Sequence, residues 1–328
     1  MQERKRMNKI SIIVPVYYSE DTLMLLYQDM KEKILDQLED YEIVFVDDGS
    51  GDSSWSIMQQ IRALDDHVVL VRLSRNFGEH AALLAGLSCC TGDCAVTKQA
   101  DLQEDSELIL RLYDSWKQGN KVVLAVREDR DDNRFYKWFA NLYYIIVRKF
   151  IMSSMPEGGF DCYLLDRKAI DVLLLLDEKN SSLSLQVLWM GFQTDKVYFH
   201  RRAREAGQSR WTMSKKIKLI MDSMMSFSYF PIRFMTVLGG LVSLMAFVMG
   251  IYIVSSKLIV GEEVLGWTSL MAVLLFSTGL ILLMLGVLGE YIWRALDAAR
   301  NRPPFLIDTI QMPASEKHKE KNTGAEKS

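Results

Sequence analysis

The 328-residue sequence predicts an α/β fold, a mostly parallel, Rossmann-like sheet, followed by a two-helix transmembrane hairpin. Three observations predict it. Runs rich in β-branched residues alternate with helical patterns through the first two hundred residues, polar residues gather just after each run, and two long stretches near the C-terminus carry no charge. A mean hydropathy close to zero averages over these unlike halves.

The strand-like runs lie at 10–16, 42–47, 68–73, 94–98 and 121–126. Between them, 21–38, 53–64, 78–87 and 105–117 carry apolar residues at three- and four-residue spacing, the helical period. Continuous apolar runs suit strands buried on both faces, and their alternation with helices predicts parallel strands covered on either side. Ligands bind such sheets beyond the carboxyl ends of the strands. No GxxxxGKS/T occurs and no GxGxxG follows the first strand, which argues against a P-loop enzyme and a dinucleotide-dependent dehydrogenase.

The charge-free stretches 234–256 and 264–289 each reach the length of about 20 apolar residues that a spanning helix needs. Arg201, Arg202, Arg204, Arg210, Lys215, Lys216, Lys218 and Arg233 precede the first, and Arg294, Arg300 and Arg302 follow the second. The loop between them has only Lys257. Basic residues stay on the cytoplasmic side, so both ends of the hairpin are expected there. The expected organisation is a cytoplasmic domain at 1–212, an amphipathic juxtamembrane segment at 213–233, the two spans, a short loop at 257–263 and a cytoplasmic tail at 290–328, disordered at its end. The first eight residues are polar and basic and 10–16 is too short for a signal core, so no leader is expected. Cys89, Cys90, Cys94 and Cys162 lack metal-ligand spacing and read as reduced core thiols.

The strand ends carry the chemistry. The first leads into Pro15-Val16-Tyr17-Tyr18-Ser19-Glu20, the second into Asp47-Asp48-Gly49-Ser50, the third into Arg75-Asn76-Phe77-Gly78 and the fourth into Gln99-Ala100-Asp101-Leu102-Gln103. Mg²⁺ and Mn²⁺ prefer carboxylate and amide oxygens and bridge diphosphates, which makes Asp101 and Gln103 the metal-ligand candidates. Each cluster alone also reads as a turn or a helix cap. Their recurrence at successive strand ends favours a site.

Ile12-Ile13-Val14-Pro15-Val16-Tyr17, Val46-Asp47-Asp48-Gly49-Ser50, Asn76-Phe77-Gly78 and Ala100-Asp101-Leu102-Gln103 together resemble the family 2 glycosyltransferases. Within that family the chain is most similar to the polyprenyl-phosphate sugar transferases, the group of dolichol-phosphate mannose synthase and the bacterial undecaprenyl-phosphate glucosyltransferases. The resemblance implies a GT-A fold and a metal-dependent (Mg²⁺ or Mn²⁺), inverting transfer from a nucleotide sugar, expected to be a UDP-sugar, to polyprenyl phosphate at the cytoplasmic face of the cell membrane. The product would serve cell-envelope glycan modification. By position, Pro15, Tyr17, Glu20, Asp47, Asp48, Asn76 and Gln99 would bind the donor, Asp101 and Gln103 the metal, and Asp161 would join Asp101 as a catalytic carboxylate. Arg202, Arg210 and Lys215 would grip the acceptor phosphate, and a generic pull on anionic lipid would place charge in the same segment. One departure stands out: the family's metal motif often reads Asp-Ala-Asp, and its first position here is Gln99.

A lipid monophosphate is an anion near neutral pH, so the acceptor hardly needs a general base, and Asp161 then orients the acceptor or supports the metal. Gln208-Ser209-Arg210-Trp211 is one residue short of the QxxRW signature of processive synthases, and two spans cannot enclose a polymer channel. The competing class is a non-catalytic, membrane-tethered nucleotide-sugar sensor. The reading leaves a homo-oligomer open and expects no nucleic-acid partner.

Overall fold

The strand β1 (Lys9–Val16) lies inside an eight-stranded sheet, pairing in parallel with β2 (Asp40–Asp47) on one side and β4 (Cys94–Thr97) on the other. The computed structural model describes residues 8–128, 144–145, 147–176, 178, 181–200, 221–259 and 266–312. The remaining elements are α1 (Leu23–Lys33), α2 (Ser54–Leu64), β3 (Val68–Leu73), α3 (Glu79–Cys89), α4 (Glu107–Lys117), β5 (Val122–Arg127), β6 (Tyr163–Asp166), α5 (Arg167–Leu175), α6 (Leu183–Trp189), β7 (Thr194–Phe199), α7 (Phe230–Ile259), α8 (Trp267–Ala299) and β8 (Ile307–Gln311). The strand order is β7-β5-β6-β4-β1-β2-β3-β8, with β6 and β8 antiparallel to their neighbours.

Alternation along the strands divides the core. Ile10, Ile12, Val14 and Val16 of β1 face one cluster, which Leu26, Met58, Ile61 and Leu112 of α1, α2 and α4 complete. Ile13 faces the other, with Ala82 and Leu83 of α3, Ile170 and Leu173 of α5 and Leu185 of α6. The expected two-sided cover is therefore present. Its boundaries differ from expectation at 21–38, where α1 stops at Lys33, Ile34 departs from helical geometry (φ −132°) and a 3₁₀ turn follows at Leu35–Gln37. All four cysteines are free thiols, and burial pushes the pKa of Cys90, Cys94 and Cys162 up, away from the reactive thiolate.

The two apolar stretches form α7 and α8, both long and apolar enough to cross a membrane. A helix at 221–227 precedes them and is locked to the end of α8: Arg294, paired within α8 to Glu290 at 3.0 Å, also meets Asp222 at 2.6 Å. Phe150, in a π-helical turn at Val147–Ile151, lies 4.5 Å from the ring of Phe230 at the start of α7. The C-terminal segment does not simply trail away as the tail expected at 290–328. After α8 the chain returns to the sheet, where β8 pairs antiparallel with β3 from Leu70↔Gln311 to Leu73↔Ile307. Phe305, Ile307 and Met312 pack against the core, and Arg62 donates to Gln311 at 3.0 Å and to the Met312 carbonyl. Both ends of the α7–α8 hairpin thus attach to one domain.

Candidate active site at the strand ends

The sheet opens between β1 and β4. Their ladder ends at Ile13↔Thr97, and the Lys98 amide closes it by donating to the Ile13 carbonyl at 2.9 Å. Pro15 follows with no N–H to give. On the other side pairing with β2 continues to Val16↔Asp47. Connections from β1 run outward to β2 and β3, whereas β4 lies on the opposite side, so this opening is the topological switch point where ligands bind open α/β sheets.

Asp47 and Asp48 stand behind this opening, buried. Asp47 accepts from the Ser50 amide at 2.9 Å and faces Arg72 at 3.3 Å. Asp48 accepts from the amides of Phe77 at 2.7 Å and Gly78 at 2.9 Å, one on each oxygen, and Asn76 donates to the Asp48 carbonyl at 3.3 Å. Burial pushes the Asp48 pKa up, the two amides pull against that, and Asp47 adds to the rise. Gly49 makes the fold-back possible: at φ +71° it adopts a left-handed conformation, and a Cβ there would sit 2.7 Å from the Arg75 carbonyl carbon. Both carboxylates, expected at the donor, accept backbone amides, Asp47 on one oxygen and Asp48 on each of its two. They shape the loop that carries Asn76 and opens α3.

Tyr17 and Tyr18 are partly exposed beyond Pro15, with rings edge to face at 4.8 Å. Tyr18 has φ +51°, unusual for a bulky residue, and its amide donates to Ser50 Oγ at 3.0 Å. Its hydroxyl lies over Gly51, where a Cβ would come within 2.8 Å. Glu20 and the next loop clamp each other: its carboxylate accepts from the Ser53 amide at 2.9 Å, and its own amide donates to Asp52 at 3.4 Å.

Beyond β4, Leu102 also takes a left-handed conformation (φ +57°), and the turn brings the Gln103 amide to Asp101 Oδ1 at 3.2 Å. Among the described residues, two of the three non-glycine residues with positive φ, Tyr18 and Leu102, sit at these strand ends. Backbone strain of that kind concentrates at functional sites. Lys98, 2% exposed, anchors the turn from below, with Nζ on the Glu104 carbonyl and 3.9 Å from its carboxylate. Gln99 donates through Nε2 to Glu79, in the first turn of α3, at 2.6 Å. No group of three or more His, Cys, Asp or Glu side chains among the described residues could cage a metal. One carboxylate and two amides, from Asp101, Gln99 and Gln103, fit a hard cation that takes its other ligands from a diphosphate.

Asp161 lies just before β6, and its carboxylate is held by the Arg127 guanidinium at the end of β5. Tyr17, Glu20, Asn76, Gln99, Asp101, Gln103 and Asp161 thus lie on strand-end loops, and Pro15 is the second-last residue of β1. Arg202, Arg210 and Lys215 lie outside the described residues. Tyr18, Glu79, Lys98 and Arg127 were not singled out from sequence. Lys98 and Arg127 carry the same sequence signal, a charge at the end of an apolar strand.

The model of glycosyl transferase family 2 matches residues 11–174, half of the chain. The chain belongs to that family. The glycosyltransferase is 37% identical over 298 residues to glycosyltransferase YkcC of Bacillus subtilis, covering 90% of this chain and 92% of that one. It is 36% identical over 302 residues to the bactoprenol glucosyl transferase of Shigella phage SfX, covering 91% and 98%. Among solved structures, the mannosyltransferase PcManGT of Pyrobaculum calidifontis, in complex with GDP-Man and Mn²⁺, superposes with a TM-score of 0.46 at 18% identity, covering 65% of this chain and 61% of that one. In this glycosyltransferase a mostly parallel sheet, with β6 antiparallel beside β4, is followed by two long apolar helices.

Proposed function

We propose that this glycosyltransferase moves a sugar from a UDP-sugar to undecaprenyl phosphate at the cytoplasmic face of the cell membrane, making a lipid-linked sugar for envelope glycan modification. The observation that carries the reading is the attachment of the domain to the α7–α8 hairpin at both of its ends, through the Phe150–Phe230 contact at the start of α7 and through β8 after α8. A domain tied to both ends of a two-helix hairpin keeps one side of the bilayer, and Arg233, Arg294, Arg300 and Arg302 cluster at that end. The likeness to a bactoprenol glucosyl transferase along nearly its whole length supports the lipid acceptor.

The chemistry follows from charge. A phosphate oxygen of the acceptor attacks the anomeric carbon, a new carbon–oxygen bond forms, and the bond to the nucleoside diphosphate breaks on the opposite face, inverting the centre. The acceptor is already anionic, given a second phosphate pKa of about 6, so Asp161 positions rather than deprotonates. Tyr17 and Asn76 line the donor's entry beside Pro15, while Asp47, Asp48 and Glu20 hold those loops. Mg²⁺ or Mn²⁺, held by Asp101 and Gln103, would supply Lewis-acid stabilisation of the leaving diphosphate. Arg202, Arg210 and Lys215 would bind the acceptor phosphate.

The test is transfer itself. Purified full-length protein given radiolabelled UDP-sugars, undecaprenyl phosphate and Mg²⁺ or Mn²⁺ should form an organic-soluble labelled lipid, and Asp101→Ala should abolish it. Binding of nucleotide sugar without lipid product from any common UDP- or GDP-sugar would overturn transfer in favour of a sensor.

A further inference from the structure

Gln99 occupies the position where related metal motifs often carry a carboxylate, and the substitution is not isolated. Its Nε2 lies 2.6 Å from Glu79 Oε1, and Glu79 is otherwise a solvent-exposed residue of the first turn of α3. An ionised carboxylate only accepts hydrogen bonds, so the Gln99 arm facing it must be the NH₂. The planar amide then turns its carbonyl oxygen away from Glu79, and no donor among the described residues bonds to that oxygen. A second unsatisfied group lies on β6, beside the end of β4 that leads to Gln99. Tyr163 is 1% exposed, and its hydroxyl has no hydrogen-bond partner among the described residues. Its backbone is bonded in both directions to Thr97 Oγ1, two residues before Gln99 (3.1 and 3.4 Å). Burial drives the Tyr163 pKa well above the usual phenol value, and the Glu79 carboxylate, within Coulombic range, pushes the same way.

We propose that Glu79 and Gln99 work as one unit in the donor pocket: Glu79 is a positioning residue that supplies the negative charge missing from the motif and fixes the Gln99 amide so that its carbonyl oxygen meets the divalent cation–nucleotide complex. The proposal rests on the nucleotide-sugar reading above. It has a consequence opposite to simple repair of the motif. Gln99→Asp would set two carboxylates against each other where one hydrogen bond now stands, and like charges in contact disfavour joint ionisation. The repair succeeds only when Glu79 is neutralised as well.

The experiment is a double-mutant cycle read by calorimetric binding of UDP, with Mn²⁺ and with EDTA, to the full-length protein in detergent. Glu79→Gln should weaken UDP binding about tenfold in Mn²⁺ and leave binding in EDTA unchanged, a pattern that loss of folding would not give. Gln99→Asp alone should also weaken binding in Mn²⁺, and Glu79→Gln with Gln99→Asp should recover to within about threefold of wild type, a coupling of opposite sign to either single change. Thermal melts check that each variant folds, and an unfolded Gln99→Asp leaves the Glu79→Gln comparison to decide. The proposal is overturned if the Gln99→Asp protein binds as tightly as wild type, if the two changes add, or if Glu79→Gln weakens binding equally in Mn²⁺ and EDTA. Wild-type protein that binds no UDP at all would overturn the nucleotide-sugar reading too, whereas tight wild-type binding without coupling would remove this inference alone.

Discussion

Arg127 and Asp161, 34 residues apart in sequence, meet at the lip of the strand-end site: the guanidinium, 12% exposed at the end of β5, donates to a carboxylate that is 47% exposed just before β6. The acid expected to act near the acceptor is held by a cation that cannot be deprotonated in a protein. That arrangement suits orientation rather than proton abstraction. Arg127→Met should therefore reduce kcat about tenfold to a hundredfold by misplacing Asp161, with the donor KM nearly unchanged. Arg127→Lys, which keeps charge but loses the planar fork, should fall between. Steady-state kinetics would show it, and an Arg127→Met, Asp161→Asn double variant worse than either single by the product of their effects would contradict a shared role.

Lys98 makes the strand-end turn depend on a buried charge. It and Glu104 are 2% and 4% exposed, so removing one partner strands the other away from water. Lys98→Met should destabilise the protein by about 3 kcal/mol, and the Lys98→Met, Glu104→Gln pair should regain much of that loss. Chemical denaturation of the full-length protein in detergent measures both. A double variant no more stable than Lys98→Met would mean that Lys98 acts through its bond to the Glu104 carbonyl alone.

The parallel core was legible because its strands are buried on both faces: Val68–Leu73 runs as an unbroken apolar pattern with one arginine, and its ends are those of β3. The site was legible as a set of strand ends but not as an arrangement. Asp47 and Asp48 look like ligand carboxylates in sequence, and only the return of the 75–78 loop over Gly49 reveals that backbone amides consume Asp48. Glu79 and Gln99 are 20 residues apart on different elements, and no local pattern joins them. Strand β8 was invisible for a related reason. Its five residues alternate between half-buried and exposed, and it becomes a strand only against the edge of β3.

At the opposite edge of the site's strands, Glu42 gives the domain an acid-sensitive contact. Burial alone would raise its pKa, but the Lys9 ammonium at 2.7 Å, the Ser11 hydroxyl at 2.6 Å and the Thr91 amide at 2.5 Å outweigh burial and hold it below the usual carboxylate range. A carboxylate with a depressed folded pKa stabilises fully above its unfolded pKa of about 4.3, and that contribution disappears as pH falls through the folded value. Glu42→Gln should cost about 2 kcal/mol at pH 7, and the gap to wild type should narrow below about pH 4. Denaturant melts at pH 7, 5 and 3 test the sign. A gap that widens on acidification would refute the assignment.

Strand β8 makes the α7–α8 hairpin a loop inserted into the domain rather than an appendage at its end. Truncation after Arg300 would remove β8 with Phe305, Ile307 and Met312, bare the edge of β3 and uncover the core beneath. An exposed edge strand is a template for pairing with other chains. The shortened protein should therefore melt about 5–10 °C lower and aggregate on heating, since a loss of 1 kcal/mol shifts the midpoint of a 150–250-residue domain by about 2–4 °C. It should still sediment with membranes, because α7 and α8 remain. Truncation after Met312 keeps the strand and should leave the melting temperature unchanged. Equal melting temperatures for the two truncations would show that β8 contributes nothing to the domain, and the hairpin would then be tied at one end only.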